Sequence, residues 1–555
     1  MAARCLSLAL ILLSGAAAAQ APAPREALTI GITQYPSTFH PNIENMAAKS
    51  YVLGFVRRPV TAYDADWRLA CLTCETVPSL ENGLAVRETT PDGKAGIRVT
   101  WRLREGLRWG DGTPVTAEDL RFAWEAGRNQ ETGFGPAEFY RSAYELIVED
   151  ARTVTLRFDK VTFEFASLGD FQPLPAHVER ARWQADPRGY RNRTAYDTET
   201  TNPALWSGPW RIAAVQPGAG VTLERNPAWT GPAPQFRTIR IRTVENTAAL
   251  EAQLLAGQVD MIAGELGLPV EQAAALERRT GGTRFRFEYR PGLIYEHLDL
   301  RHDHPALSDA RVRRALLLAT DRAQIVARLF EGRQTVAATG VNPLDPMHDP
   351  SLPAAAHDLA AANALLDQAG WPRGPDGIRR NAASGERLTL ELMTTAGNRA
   401  REQVQQVLQG MWRQAGIEAR IRNEPPRVLF AETLSKRRFQ GLALFAWISA
   451  PEGVPRSTLH SEEVPVESRN WSGQNYGGYA NPEMDALLEA IPVELDAAKR
   501  RVLWARLQAI YAETLPAIPL WFRADAHVWP QWLEGVRPTG HLNPSTLWAE
   551  GWRTR

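Results

Sequence analysis

Between residues 388 and 421 the chain switches twice between the two periodicities that build α/β folds. Residues 388–393 alternate apolar and polar side chains, 398–415 carry helical spacing behind Asn398, Gly416 interrupts, and 417–421 alternate again. That order predicts a strand, a helix stopped by glycine, and a second strand. Such units build right-handed parallel sheets. Further strands are expected at 28–33, 97–103, 153–158, 221–225, 238–244, 439–448 and 515–522. Helices are expected from Thr116, over 246–257, 308–320, from Asp321 to Gly332, and over 355–369, 481–490 and 497–513. Alternating units of this kind point to layered α/β architecture. With 555 residues and about 150 per domain, three to four structural units are expected.

The first residues carry a different pattern. Arg4 precedes the apolar run 5–13, followed by Ser14, Gly15 and four alanines. Ala17-Ala18-Ala19 and Ala19-Gln20-Ala21 both fit a small-x-small cleavage site, so 1–21 is expected to be a secretory signal peptide. The run is too short to span a bilayer, and no cysteine follows it to take a lipoprotein anchor. A soluble periplasmic protein is expected. Lys+Arg and Asp+Glu each number 63. Without a basic excess there is no case for nucleic-acid binding.

Cys71 and Cys74 remain after the leader. In an oxidising compartment they are candidates for a short structural disulfide, with free thiols the alternative. Their flanks read as loop, which disfavours a thioredoxin-like redox pair, and no second pair exists to complete a zinc site. His302-Asp303-His304 could ligate a metal, but it precedes Pro305 and reads as solvated loop. Gly-x-Ser-x-Gly, His-Glu-x-x-His, Ser-x-x-Lys and P-loop patterns are absent. Neither an enzyme activity nor a cofactor or metal is expected. The 18 Trp fill cores or wall a ligand, and core filling is the plainer reading.

Several segments then occur in order. They are Trp101-Arg102-Leu103-Arg104-Glu105-Gly106-Leu107-Arg108-Trp109-Gly110-Asp111-Gly112-Thr113-Pro114-Val115-Thr116-Ala117-Glu118-Asp119-Leu120; Gly208-Pro209-Trp210 with Leu223-Glu224-Arg225-Asn226-Pro227; Ala256-Gly257-Gln258-Val259-Asp260; Asp309-Ala310-Arg311-Val312-Arg313-Arg314-Ala315 with Ala319-Thr320-Asp321-Arg322; Leu365-Leu366-Asp367-Gln368-Ala369-Gly370-Trp371; and Gly478-Tyr479-Ala480-Asn481-Pro482. In this order the chain resembles the family 5 bacterial extracellular solute-binding proteins, the oligopeptide, dipeptide and nickel-type receptors of ABC importers. The resemblance implies a periplasmic-binding-protein type II-like clamshell with two lobes and an additional domain. It implies a discontinuous domain I (22–60, 196–292 and 516–555), a domain II (61–195) and a domain III (293–515). It also implies a peptide or peptide-like cargo enclosed in the cleft and released unchanged, permease subunits in the inner membrane as partner, and a monomer. A non-peptide solute such as a metal chelate, sugar or opine-like compound is the alternative, and an exported hydrolase a more distant one.

Ligands of open α/β sheets lie beyond strand C-termini. Trp447, Ser449 and Glu452 follow the run 441–446 and are candidate ligand-binding residues. Tyr35 and Phe39 follow the first strand and are candidates for the same reason. Asn475 and Tyr476 sit in the polar, aromatic, glycine-rich stretch 472–479. For each, the competing reading is core or plain surface loop. The 101–120 stretch reads as scaffold, since its polar groups are spent on a turn and a cap. In the peptide receptors of the family a Trp-x-x-Asp pattern follows the 439–448 strand, its Asp pairing with the ligand's ammonium. Here that position is Ala450. Either Glu452 takes over, or the cargo lacks a free amino terminus.

Overall fold

The structure, a computed structural model, describes residues 25–44, 46–134, 137–169 and 171–555. The expected leader and its cleavage site lie outside the described residues.

Eleven strands make one mixed sheet. In chain order they are β1 (Ala27–Ile32), β2 (Trp210–Gln216), β3 (Gly220–Arg225), β4 (Thr238–Thr243), β5 (Met261–Ile262), β6 (Phe285–Leu300), β7 (Thr335–Val336), β8 (Thr389–Thr394), β9 (Glu418–Ile421), β10 (Gly441–Ile448) and β11 (Ala517–Pro530). Across the sheet the order is β9-β8-β10-β6-β11-β5-β1-β4-β3-β2, with β7 on β11. The unit read first from the sequence is there. β8 and β9 pair in parallel, joined by helix Arg399–Gln414. Asn398 caps that helix by accepting the Arg401 N–H at 3.2 Å. Gly416 takes the left-handed conformation, φ +82°, that lets the chain leave the helix.

The sheet serves two lobes. β8, β9 and β10 surround one core, built on Leu390, Leu408, Trp412 and Leu444. β1 to β4 surround another, built on Leu28, Ile30, Trp210 and Ile239, which runs on into residues 85–174. Between them, β6 and β11 pair antiparallel along most of their length. Residues 285–291 of β6 pair with 524–530, and 295–299 pair with 517–522, with register shifts between Pro291 and Tyr295 and between Glu296 and His297. These strands carry the chain between the lobes. Residues 61–185 hold a separate four-stranded antiparallel sheet, ordered Ala85–Thr89, Ala95–Arg102, Thr153–Phe158, Ala143–Val148. This is a two-lobed α/β clamshell with an additional domain.

Helix Ala117–Arg128 packs on that smaller sheet. Buried Asp119 accepts N–H groups of Thr116 (2.8 Å), Ala176 (2.9 Å) and the Trp109 indole (3.2 Å). The 101–120 stretch is therefore scaffold, with Trp101 and Trp109 fully buried. Cys71 and Cys74 are joined as a disulfide, Cα atoms 5.1 Å apart, beside the hairpin Thr61–Tyr63/Leu69–Cys71.

Three readings need correction. The helix expected from 355 is Leu359–Gln368, because the Asp358 carboxylate caps it, accepting the Ala361 N–H at 2.9 Å. The last strand continues beyond Phe522 to Pro530. Strand β6 and helices Ala47–Val56 and Val270–Thr280 carry no expectation from the sequence.

Candidate functional site

β6 and β10 are antiparallel neighbours, with Tyr295 opposite Trp447 and His297 opposite Phe445. A strand turns alternate residues to one face, so Tyr295, His297 and Asp299 share a face with Trp447. That face bounds a cavity of about 260 Å³ closed by loops 339–345, 448–459 and 474–479. Its aromatic wall is ordered. The Trp447 ring lies nearly parallel to His297 (6.4 Å between centroids, 16°), and His297 lies parallel to Tyr295 (5.2 Å, 11°). Tyr476 stands 5.8 Å from Trp447. The Tyr295 and Tyr511 hydroxyls bond at 2.9 Å, fixing the floor. Large, stiff rings with polar tips suit a solute that is part apolar and part hydrogen-bonding.

The polar groups differ in how far they are committed. Asn475 is buried and spent on main chain: its amide donates to the His460 and Tyr479 carbonyls and accepts the Tyr479 N–H. It shapes the loop that presents Tyr476. Asp299 bonds the His297 Nε2 at 3.1 Å. Asn342 donates to the Gly292 carbonyl at 2.7 Å. Asp345 accepts main-chain N–H groups of Met347 (2.8 Å) and Glu452 (2.7 Å). Burial, with the charge of Glu452 added, pushes its carboxyl up to about 6. Among the described lining residues there is no lysine or arginine.

Of the residues singled out from the sequence, Trp447, Ser449, Asn475 and Tyr476 come together on this cavity, and Ala450 lines it too. Glu452 does not. It sits at φ +55° with its carboxylate held by Arg500 at 3.0 and 3.2 Å, and only its main-chain N–H reaches a lining residue, Asp345. The Arg500 guanidinium also stacks on Phe163 of the additional domain, 4.3 Å from the ring centre. Tyr35 and Phe39 lie in the other lobe, edge to face at 6.2 Å. Phe39 is core there, its N–H bonded to Asp197 at 2.9 Å. His302, Asp303 and His304 diverge. His302 bonds the Pro516 carbonyl (2.8 Å), Asp303 pairs with Arg301 and Arg437, and His304 accepts the Ala306 N–H (3.2 Å).

The model of bacterial extracellular solute-binding proteins, family 5 (middle region), matches residues 79–460, more than half of the chain. The chain belongs to this family. As a family 5 solute-binding protein it is 23% identical over 530 residues to the oligopeptide-binding protein OppA of Bacillus subtilis (strain 168), covering 92% of this chain and 90% of OppA. Among solved structures it is similar to the oligopeptide binding protein of Thermus thermophilus complexed with a pentapeptide (29% identity, TM-score 0.67, 96% and 97% of the two chains). It shares its fold with NikZ of Campylobacter jejuni, solved with Ni(L-His) (19% identity, TM-score 0.68, 96% and 100%).

Sequence reasoning missed several cavity residues of this family 5 protein. Tyr295, His297 and Asp299 sit on β6, whose start alternates Phe285, Phe287 and Tyr289 with Arg286, Glu288 and Arg290, a period-two signal that was there to find. Asn342 and Asp345 belong to an aperiodic loop with Pro343 and Pro346, and nothing local marks them.

Proposed function

We propose that the protein is the extracytoplasmic receptor of an ABC importer for a peptide-like solute, held in the cavity walled by Trp447, Tyr476, His297 and Tyr295. The observation that carries this is the cavity itself. It is a partly open pocket, aromatic on one wall and edged with main-chain and side-chain hydrogen-bonding groups, in a family of solute receptors. The oligopeptide-binding relatives support the choice of cargo class. In this reading the lobes divide near 291–295 and 522–524, where β6 and β11 cross between cores, the second crossing lying past the 515/516 boundary expected from the sequence, and residues 61–195 form the additional domain. Closure gathers ligand contacts unavailable to the open form, and that differential affinity shifts the balance between the two states. The cargo leaves chemically unchanged to a permease in the inner membrane, and the receptor acts as a periplasmic monomer.

The test is a thermal-shift screen of the pure protein. A rise in melting temperature with a mixed peptide pool, absent with amino-acid amides and sugars, is the expected result. A rise with sugars alone refutes it. A second reading, a non-peptide solute such as a metal chelate, is favoured by one observation: Ala450 stands where peptide receptors of the family have their Asp. Native mass spectrometry of protein taken from its own compartment separates the two by weighing the retained cargo.

A further inference from the structure

We propose that the cargo is cationic and that Asp345 seats its alkylammonium or guanidinium group. This deepens the receptor reading above, on which it rests, by naming the charge the cavity accepts.

The charged groups on the described lining are all of one kind save a histidine. Asp299 and Asp345 are there, and no lysine or arginine. A carboxylate or phosphate entering this space would shed its water with no cationic side chain to replace it, which is costly. A cation meets the opposite situation. Asp299 is already engaged by His297. Asp345 is 8% exposed, and its hydrogen bonds come from main chain alone. The guanidinium that could have served it, Arg500, is taken up by Glu452. Glu164 of the additional domain, an exposed residue, has its carboxyl raised by desolvation first and by the charge of Glu452 second, and its side chain bonds no described residue. Of these carboxylates only Glu452 is paired with Arg500.

The same imbalance recurs beside the cavity. Asn342, a lining residue, holds the Gly292 carbonyl, and Asp525 lies against Gly292, its Oδ2 3.0 Å from where a Cβ would stand. The Asp525 side chain bonds no described residue, and Arg523, whose charge acts on it, is tied to Glu296. Its neighbour Glu265 has a buried Oε2 without a hydrogen-bond partner among the described residues. Burial lifts these carboxyls to about 6 and about 7. Buried Tyr51 Oη and His527 Nε2 also lack such partners. Unpaired buried acids destabilise a fold, and a positively charged ligand relieves that where no side chain does.

The test is calorimetric titration of the full protein with trilysine, trialanine, N-acetyl-trialanine amide, N-acetyl-trilysine amide and spermidine. Trilysine is expected to bind about tenfold or more tighter than N-acetyl-trialanine amide, a difference proper to a charge-assisted contact. Asp345→Asn is expected to lower trilysine affinity by about tenfold or more and to erase its margin over N-acetyl-trialanine amide. If acetylation weakens trialanine, the amino terminus occupies Asp345. If N-acetyl-trilysine amide keeps the affinity of trilysine, a side chain does. Both results support the proposal. Spermidine binding without any peptide binding supports the cation and removes the peptide reading. N-acetyl-trialanine amide binding as well as trilysine and trialanine keeps the peptide reading and overturns the cation. Wild-type charge preference in Asp345→Asn, or no binding by any cationic probe, also overturns it. Should Asp345→Asn fold poorly, the order of affinities in the unsubstituted protein decides.

Discussion

Trp447 and Glu265 show two uses of a partly buried side chain. Trp447 is half-buried, flanked by His297, Phe445 and Tyr476. It contributes face rather than core volume, so Trp447→Ala is expected to weaken cargo binding at least about tenfold while shifting unliganded melting little. Unchanged affinity in calorimetry would reject that role. Glu265 illustrates a carboxyl held against its preference. Burial first, and the charge of Asp525 second, raise it from 4.5 to about 7, with His527 and Tyr51 packed nearby. A raised acid keeps its proton better when folded. Its penalty is absent at low pH and grows as pH climbs from the unfolded value to the folded one. Glu265→Gln is therefore expected to melt higher than the parent at roughly pH 8, by on the order of 1–3 kcal/mol of stability, and to lose that advantage by roughly pH 4.5. Equal melting at both pH values would show that Glu265 is well solvated. Trp447 was legible as a candidate because it stands at the C-terminal end of an apolar strand, where ligands of open α/β sheets lie, with core as the competing reading. The fate of Glu452 was not, because its partner Arg500 is 48 residues away and only folding brings them together.

At the level of elements, several helices were readable from the cap that opens a periodic run. Asn398, Asn481 and Asp321 each cap the helix expected after them. Residues 355–358 misled because alanine spacing carries no boundary, whereas an acidic cap does. Gly416 offers a test. A Cβ there would lie 2.9 Å from Arg379 Cγ and 3.0 Å from the Gly377 carbonyl oxygen, at a φ that disfavours any side chain. Gly416→Ala is expected to cost about 1–3 kcal/mol of stability, read by denaturant unfolding, with cargo affinity unchanged. An unaltered midpoint would mean that the turn relaxes freely. Long strands are harder to read than helices. β6 and β11 change environment half-way, from one lobe to the other, so no single alternation runs their length.

For the whole molecule, the two-lobed α/β design was accessible from ordered motifs, while the cavity floor was not, since it is assembled from β6, β10 and the loops 339–345 and 474–479 that lie far apart in sequence. Ligand that binds the folded form adds about 2.7 kcal/mol of stability at a hundredfold excess over Kd. Saturating cargo is therefore expected to raise the melting temperature in proportion to the logarithm of its concentration and to reduce the radius of gyration in small-angle scattering. A radius that stays constant while melting rises would mean a preclosed body.

Because β6 and β11 cross between the lobes hydrogen-bonded to each other and to neighbours on both sides, the jaws are not hung on slack cord. They are joined by a ribbon that resists twisting in proportion to the angle imposed, as a torsion bar does. Such a joint has one resting angle and returns to it, with the irregularity between Pro291 and Tyr295 as its softest point. Emptying the receptor is then expected to be partly elastic, the ribbon drawing the mouth back toward its resting angle once the cargo is withdrawn.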